Sequence, residues 1–121
     1  MLGFPVLIVD DEPQVRSLIR AVLSRAGFRV LVAGNGVDAL STAQTLHGEI
    51  CIMVSDYSMP GMNGNTLAGL LKEQFPLIPT LLMSSGSNAC DCPSADAFLA
   101  KPFVPSVLVA SVHRLLGMEE E

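Results

Sequence analysis

Five short apolar runs, separated by stretches patterned as amphipathic helices, recur along this chain. The runs are "PVLIV" at 5–9, "FRVLVA" at 28–33, "ICIMVS" at 50–55, "TLLMS" at 80–84 and "AFLA" at 97–100. After the first run, Val15, Leu18, Ile19, Val22, Leu23 and Ala26 follow the spacing of a core-facing helix. Pro13 suits its opening turn and Gly27 its stop. Val37, Leu40, Ala43 and Leu46 give a second helix face between Gly36 and Gly48, and Leu67, Leu70 and Leu71 a third that ends before Pro76. Val104, Val107, Leu108, Ser111, Val112 and Leu115 mark the last helix, with Pro105 in its first turn. Strands that are apolar almost throughout are covered on both faces, the condition of a parallel sheet in an α/β domain. Right-handed crossovers then restrict the chain to a doubly wound sheet, and five strands suit the flavodoxin-like order 2-1-3-4-5.

Composition agrees with one compact unit, a single domain over 1–121 with its core at 5–116. Half of the 121 residues are hydrophobic and 16% are charged, which excludes a disordered tail. No apolar run approaches the roughly 18 residues of a membrane span. The opening "MLGFPVLIVDD" lacks the basic lead of a secretory signal, so a cytoplasmic location is expected. Net charge is −5 and the seven Lys and Arg residues are scattered, so direct nucleic-acid binding is not expected. Cys51 reads as a small core residue, and Cys90 and Cys92 lack the second ligand pair of a zinc site. His47 and His113 fall on expected helices without a second His or Cys nearby and read as surface residues.

In such a sheet, ligands bind beyond the C-terminal ends of the strands. Asp10 and Asp11 follow the first run, Asp56 the third, Ser84 closes the fourth and Lys101 follows the fifth. Strands one and three are neighbours in the expected order, so three carboxylates should converge. Clustered anions repel unless a cation neutralises them, and hard oxygen ligands with room for water suit Mg²⁺. Taken singly, each residue has a plain explanation. Asp11 or Glu12 could cap the first helix, Asp56 could open a turn, Ser84 could be incidental and Lys101 a solvated surface lysine. Their arrival together on one sheet edge is what demands an account.

The stretches "VLIVDDE" at 6–12, "SDYSMPGMNG" at 55–64, "TLLMSSGS" at 80–87 and "DAFLAKPF" at 96–103 make the chain resemble the receiver domains of two-component response regulators. The resemblance covers residues 5–116. It implies that Asp56 accepts a phosphoryl group from a phosphohistidine on a sensor histidine kinase or phosphotransfer protein. It further implies Mg²⁺ held by Asp10, Asp11, Asp56 and the backbone carbonyl of Ser58. Lys101 would contact the phosphoryl oxygens, Ser84 would hydrogen-bond them on arrival, and Phe98 matches the aromatic switch position. The Lys101-Pro102 bond matches one that the family often holds cis. Such a chain is a signalling phosphoacceptor rather than an enzyme acting on a separate substrate. Its downstream partner is left unnamed by the sequence.

Two departures stand out. The segment after Ser84, with "NACDCPSAD", has room for little more than one helical turn, so a shortened fourth helix is expected and the activated chain should stay monomeric. Val104 stands where many relatives place a Ser or Thr helix cap. Two rival readings use the same residues. A haloacid-dehalogenase-like phosphatase also has a strand-end aspartate, but wants a second Asp where Ser58 stands. A degenerate receiver would bind partners without phosphorylation. "TLLMSSGS" and "FLAKPFVPSVL" also resemble receivers fused to hybrid sensor kinases, so the chain could be free-standing or part of a larger protein.

Overall fold

The structure, a computed structural model of the chain, describes residues 3–84 and 94–117. Its elements alternate as β1 (Val6–Val9), α1 (Pro13–Arg25), β2 (Val30–Ala33), α2 (Gly36–Thr45), β3 (Ile52–Asp56), α3 (Gly64–Gln74), β4 (Thr80–Ser84), β5 (Ala97–Ala100) and α4 (Pro105–Leu116). The strands form one parallel sheet in the order β2-β1-β3-β4-β5. The expected architecture is therefore present. The shortened fourth helix falls on residues 85–93, outside the described residues, as do Cys90 and Cys92. Among the described residues no helix is long and apolar enough to cross a membrane.

Strand periodicity divides the core between the two faces. Val6, Ile8, Ile52, Val54, Leu81 and Met83 pack with Ile19 and Leu23 of α1 and Leu108 and Val112 of α4. The alternate positions Leu7, Val9 and Met53 meet Ala39 and Ala43 of α2 and Leu67 and Leu71 of α3. β1, β3 and β4 are buried along their whole length, in keeping with the apolar runs at their centres. Each large side chain so buried contributes about 1.5–3 kcal/mol, which lets strands of four or five residues hold the sheet. Cys51 is buried in the α1 side of this core as a free thiol, in agreement with its packing role.

The helix faces differ from expectation in detail. Leu18, Val37 and Val107 are 56%, 67% and 45% exposed, although each fits the apolar spacing. The reason is that α2 meets the sheet with small residues, Gly36, Ala39 and Ala43, and this turns Val37 outward. On α1 the buried stripe narrows to Ile19 and Leu23. Val104 is the N-cap of α4, with no side-chain capping bond, so it caps as weakly as its apolar side chain suggests. His47 lies just past α2 with φ 54°, not on the helix, and His113 of α4 sits against the Phe28 ring at 5.8 Å.

Candidate functional site

Every sequence-predicted site residue lies at or near the C-terminal edge of the sheet, apart from Phe98, which pairs with Leu82 further back along β5. Asp56 is the last residue of β3 rather than the first after it, because the ladder to β4 continues through Asp56 and Met83. The Tyr57 amide then donates to the Met83 carbonyl at 2.8 Å, so the backbone on both sides of Asp56 is fixed. Asp10 directly follows β1, and its amide donates to the Ala33 carbonyl at 3.2 Å. Lys101 follows β5 and is placed by its amide, which donates to the Ser84 carbonyl at 2.8 Å. The Lys101-Pro102 peptide is cis, as the resemblance implied.

These elements bring one ammonium to two carboxylates. Lys101 Nζ lies 3.1 Å from Asp56 Oδ1 and 3.7 Å from Asp10 Oδ2. Asp10 is fully buried; its Oδ1 accepts the Glu12 amide at 2.9 Å, while Oδ2 has no hydrogen-bond partner. Burial pushes the Asp10 carboxyl above its ordinary range, against the Glu12 amide, and the charges of Asp56 and Asp11 push the same way. Asp11 is exposed, and one oxygen from each of Asp10, Asp11 and Asp56 falls within 4.8 Å of the others. Glu12 holds the N-cap position of α1, but no side chain makes a capping bond there.

The donor set fits a small divalent cation. Like charges this close repel by roughly 3–4 kcal/mol per pair at an effective dielectric of about 20. Lys101 pairs with only two of the three carboxylates, and Oδ2 of buried Asp10 has no hydrogen-bond partner. Oxygens sharing one Mg²⁺ stand at most about 4.2 Å apart, so the cluster needs only a small closure or one intervening water.

Ser84 is buried at the end of β4, opposite Ala100 in the register. Phe98 is half-buried. Ser58 is exposed two residues beyond Asp56, in the loop leading to α3. Gly64, which drew no separate attention in the sequence, turns out to be essential to that loop. A Cβ there would stand 2.5 Å from the Asp56 carbonyl oxygen and 2.9 Å from Tyr57 Cα. Its amide donates to the Tyr57 carbonyl at 2.7 Å, which closes the loop back onto the strand end. The signal was present as the glycine ending "SDYSMPGMNG", but only the close approach explains it.

Comparison with known proteins follows from this geometry. The model of the response regulator receiver domain matches residues 6–113. The chain is 30% identical over 121 residues to the DNA-binding response regulator MtrA of Mycolicibacterium smegmatis, covering 96% of this chain and 52% of that protein. It is 39% identical over 122 residues to the sensor kinase CckA of Brucella abortus, covering 95% of this chain and 13% of that protein. It thus spans about half or less of these curated relatives. Among solved structures it is similar to the response regulator TrrA of Thermotoga maritima in complex with Mg²⁺-BeF. That likeness has a TM-score of 0.83 and 29% identity, covering 93% of this chain and 99% of that one.

Proposed function

The chain belongs to the response regulator receiver domain family, a module of two-component signalling, and we propose that Asp56 is the residue through which it receives a phosphoryl group. The observation that carries this reading is the convergence of three carboxylates from two adjacent strand ends, two of which, Asp10 and Asp56, pair with Lys101. An oxygen of Asp56 attacks the phosphorus of a phosphohistidine; the new O–P bond replaces the P–N bond, and the leaving imidazole keeps the electron pair and takes up a proton. Such transfers need mainly alignment and neutralisation of the phosphoryl oxygens. Mg²⁺, held by Asp10, Asp11, Asp56 and the Ser58 carbonyl, supplies part of that charge when bound. Lys101 supplies the rest, exchanging its 3.1 Å contact with Asp56 for the arriving oxygens. Ser84 donates a hydrogen bond to them, and Phe98 follows Ser84 inward.

In this reading one domain acts as a signalling phosphoacceptor in the cytoplasm rather than as an enzyme with a substrate of its own. Its donor is a sensor histidine kinase or a phosphotransfer protein. Beside Lys101 opens a cleft lined by Glu12, Val15, Leu18, Pro102 and Phe103. Its mainly apolar walls give the exposed Leu18 a use as a contact for that donor. The family match supports a receiver over a dehalogenase-like phosphatase, and the full acidic set supports a phosphorylated receiver over a degenerate one. The likeness to a segment of a sensor kinase supports the hybrid-kinase context as much as the likeness to MtrA supports a separate regulator.

Metal binding provides the test. Tyr57, the sole tyrosine, adjoins Asp56 and no tryptophan masks its emission, so Mg²⁺ can be followed by fluorescence and by calorimetry. Asp11→Ala should weaken Mg²⁺ by roughly tenfold or more, since even outer-shell changes commonly cost that much. An unchanged isotherm would make Asp11 an ordinary surface residue.

A further inference from the structure

Arg16 lies on the first turn of α1, among residues that the apolar pattern of the helix leaves to solvent, yet its guanidinium turns back toward the site. Nη1 donates to the main-chain carbonyl of Asp10 at 2.9 Å. On the other side it passes over Gly34, where a Cβ would stand only 3.2 Å away. Arg16 is half-buried in this position. Asp10 is thereby held at three atoms: its amide by Ala33, its carbonyl by Arg16 and its Oδ1 by the Glu12 amide. Oδ2, the fourth polar atom, has no hydrogen-bond partner and lies 3.7 Å from Lys101 Nζ.

The local sequence gives this strap work to do. α1 begins at Pro13 with no side-chain cap at Glu12, so the turn carrying Asp10 and Asp11 lacks the usual anchor of a helix start. Asp11 lies between two residues that are tied down, Asp10 and Glu12, and its carboxylate is placed by what holds them. No carboxylate among the described residues lies within ion-pair distance of Arg16. Asp38, which shares the cleft with it, accepts from Asn35 Nδ2 at 3.2 Å. The guanidinium therefore has no ion-pair partner of its own among the described residues, and its charge lies next to the acidic cluster.

We propose that Arg16 is a positioning residue for the acidic pair, strapping the end of β1 so that Asp10 and Asp11 face Asp56 in the geometry that receives a cation. This rests on the Mg²⁺ reading of the site. Two consequences of Arg16 oppose each other, and that makes the proposal testable. As a charge, Arg16 repels a divalent cation, so its removal alone would tighten binding. As a strap, it prearranges the ligands, so its removal weakens binding.

Mg²⁺ titration of the full chain by Tyr57 fluorescence and calorimetry separates the two. Arg16→Ala should weaken Mg²⁺ by roughly tenfold, while Arg20→Ala, an exposed arginine one turn further along, should leave it unchanged or slightly tighter. Arg16→Lys keeps the charge and one donor without the planar fork, and should recover part of the loss. Amide exchange at Glu12 should quicken in Arg16→Ala and return toward the wild-type rate in Arg16→Lys. Binding in Arg16→Ala as tight as wild type, or tighter, would overturn the strap. So would an equal loss in Arg20→Ala. A wild-type chain that binds no Mg²⁺ would overturn the metal reading itself, a result distinct from either.

Discussion

Asp56→Asn protein incubated with acetyl phosphate and Mg²⁺ should take up no phosphoryl group, against one per molecule for the wild type. An amide oxygen is too poor a nucleophile to displace the donor, and it forms no stable ester-like product. The exchange is nearly isosteric, and the backbone bonds that fix this strand end, from Tyr57 to Met83 and from Gly64 to Tyr57, do not involve the carboxylate. The fold should therefore survive while the chemistry is lost. Of the neighbouring hydroxyls, Ser55 is buried with its Oγ donating to the Asp56 carbonyl at 3.0 Å, and Ser58 is exposed beyond the strand end. Undiminished labelling of the variant would assign the phosphoryl group elsewhere.

Lys101→Ala should split two properties that a general loss of structure would lower together. Mg²⁺ affinity should be unchanged or up to a few-fold tighter, because the ammonium that competes for Asp56 at 3.1 Å and for Asp10 at 3.7 Å has gone. Its side chain is 19% exposed, so solvent screens part of that gain. The response to beryllofluoride, a mimic of the phosphoryl group, should fall by roughly ten- to a hundredfold, the worth of a charge-assisted hydrogen bond of about 1.5–3 kcal/mol. Hydrogen exchange in β4 and β5, with and without the mimic, measures that response. A large loss of Mg²⁺ affinity in Lys101→Ala would contradict the division of labour between lysine and metal.

Much of this arrangement is legible in the sequence. The apolar runs set the sheet because a central parallel strand has no polar face to offer; crossover handedness made it doubly wound, and five strands suited the flavodoxin-like order. That logic put Asp10, Asp56 and Lys101 on one edge, and the ladders confirm the placement. Helix faces were less legible. Leu18 and Val37 satisfy the apolar spacing but are turned out, because small residues of α2 and a narrow stripe of α1 make the contact instead. Periodicity records hydrophobicity and not which flank a neighbour covers. The roles of Gly64 and Arg16 escaped the apolar pattern for a different reason. One acts by having no side chain where two backbones meet, and the other by a bond from its guanidinium to a main-chain carbonyl. Neither leaves a mark in an apolar pattern.

Phosphoryl acceptance by a single carboxylate can be read at that carboxylate in the unaltered chain. Wild-type protein phosphorylated with acetyl phosphate and Mg²⁺ can be reduced with borohydride, which converts an aspartyl phosphate to homoserine, and the product mapped by peptide mass spectrometry. Homoserine is expected at position 56 alone, formed with Mg²⁺ present and lost when the metal is chelated. Homoserine at position 10 or 11, or no reduced residue despite bound Mg²⁺, would rule out Asp56 as the phosphoacceptor.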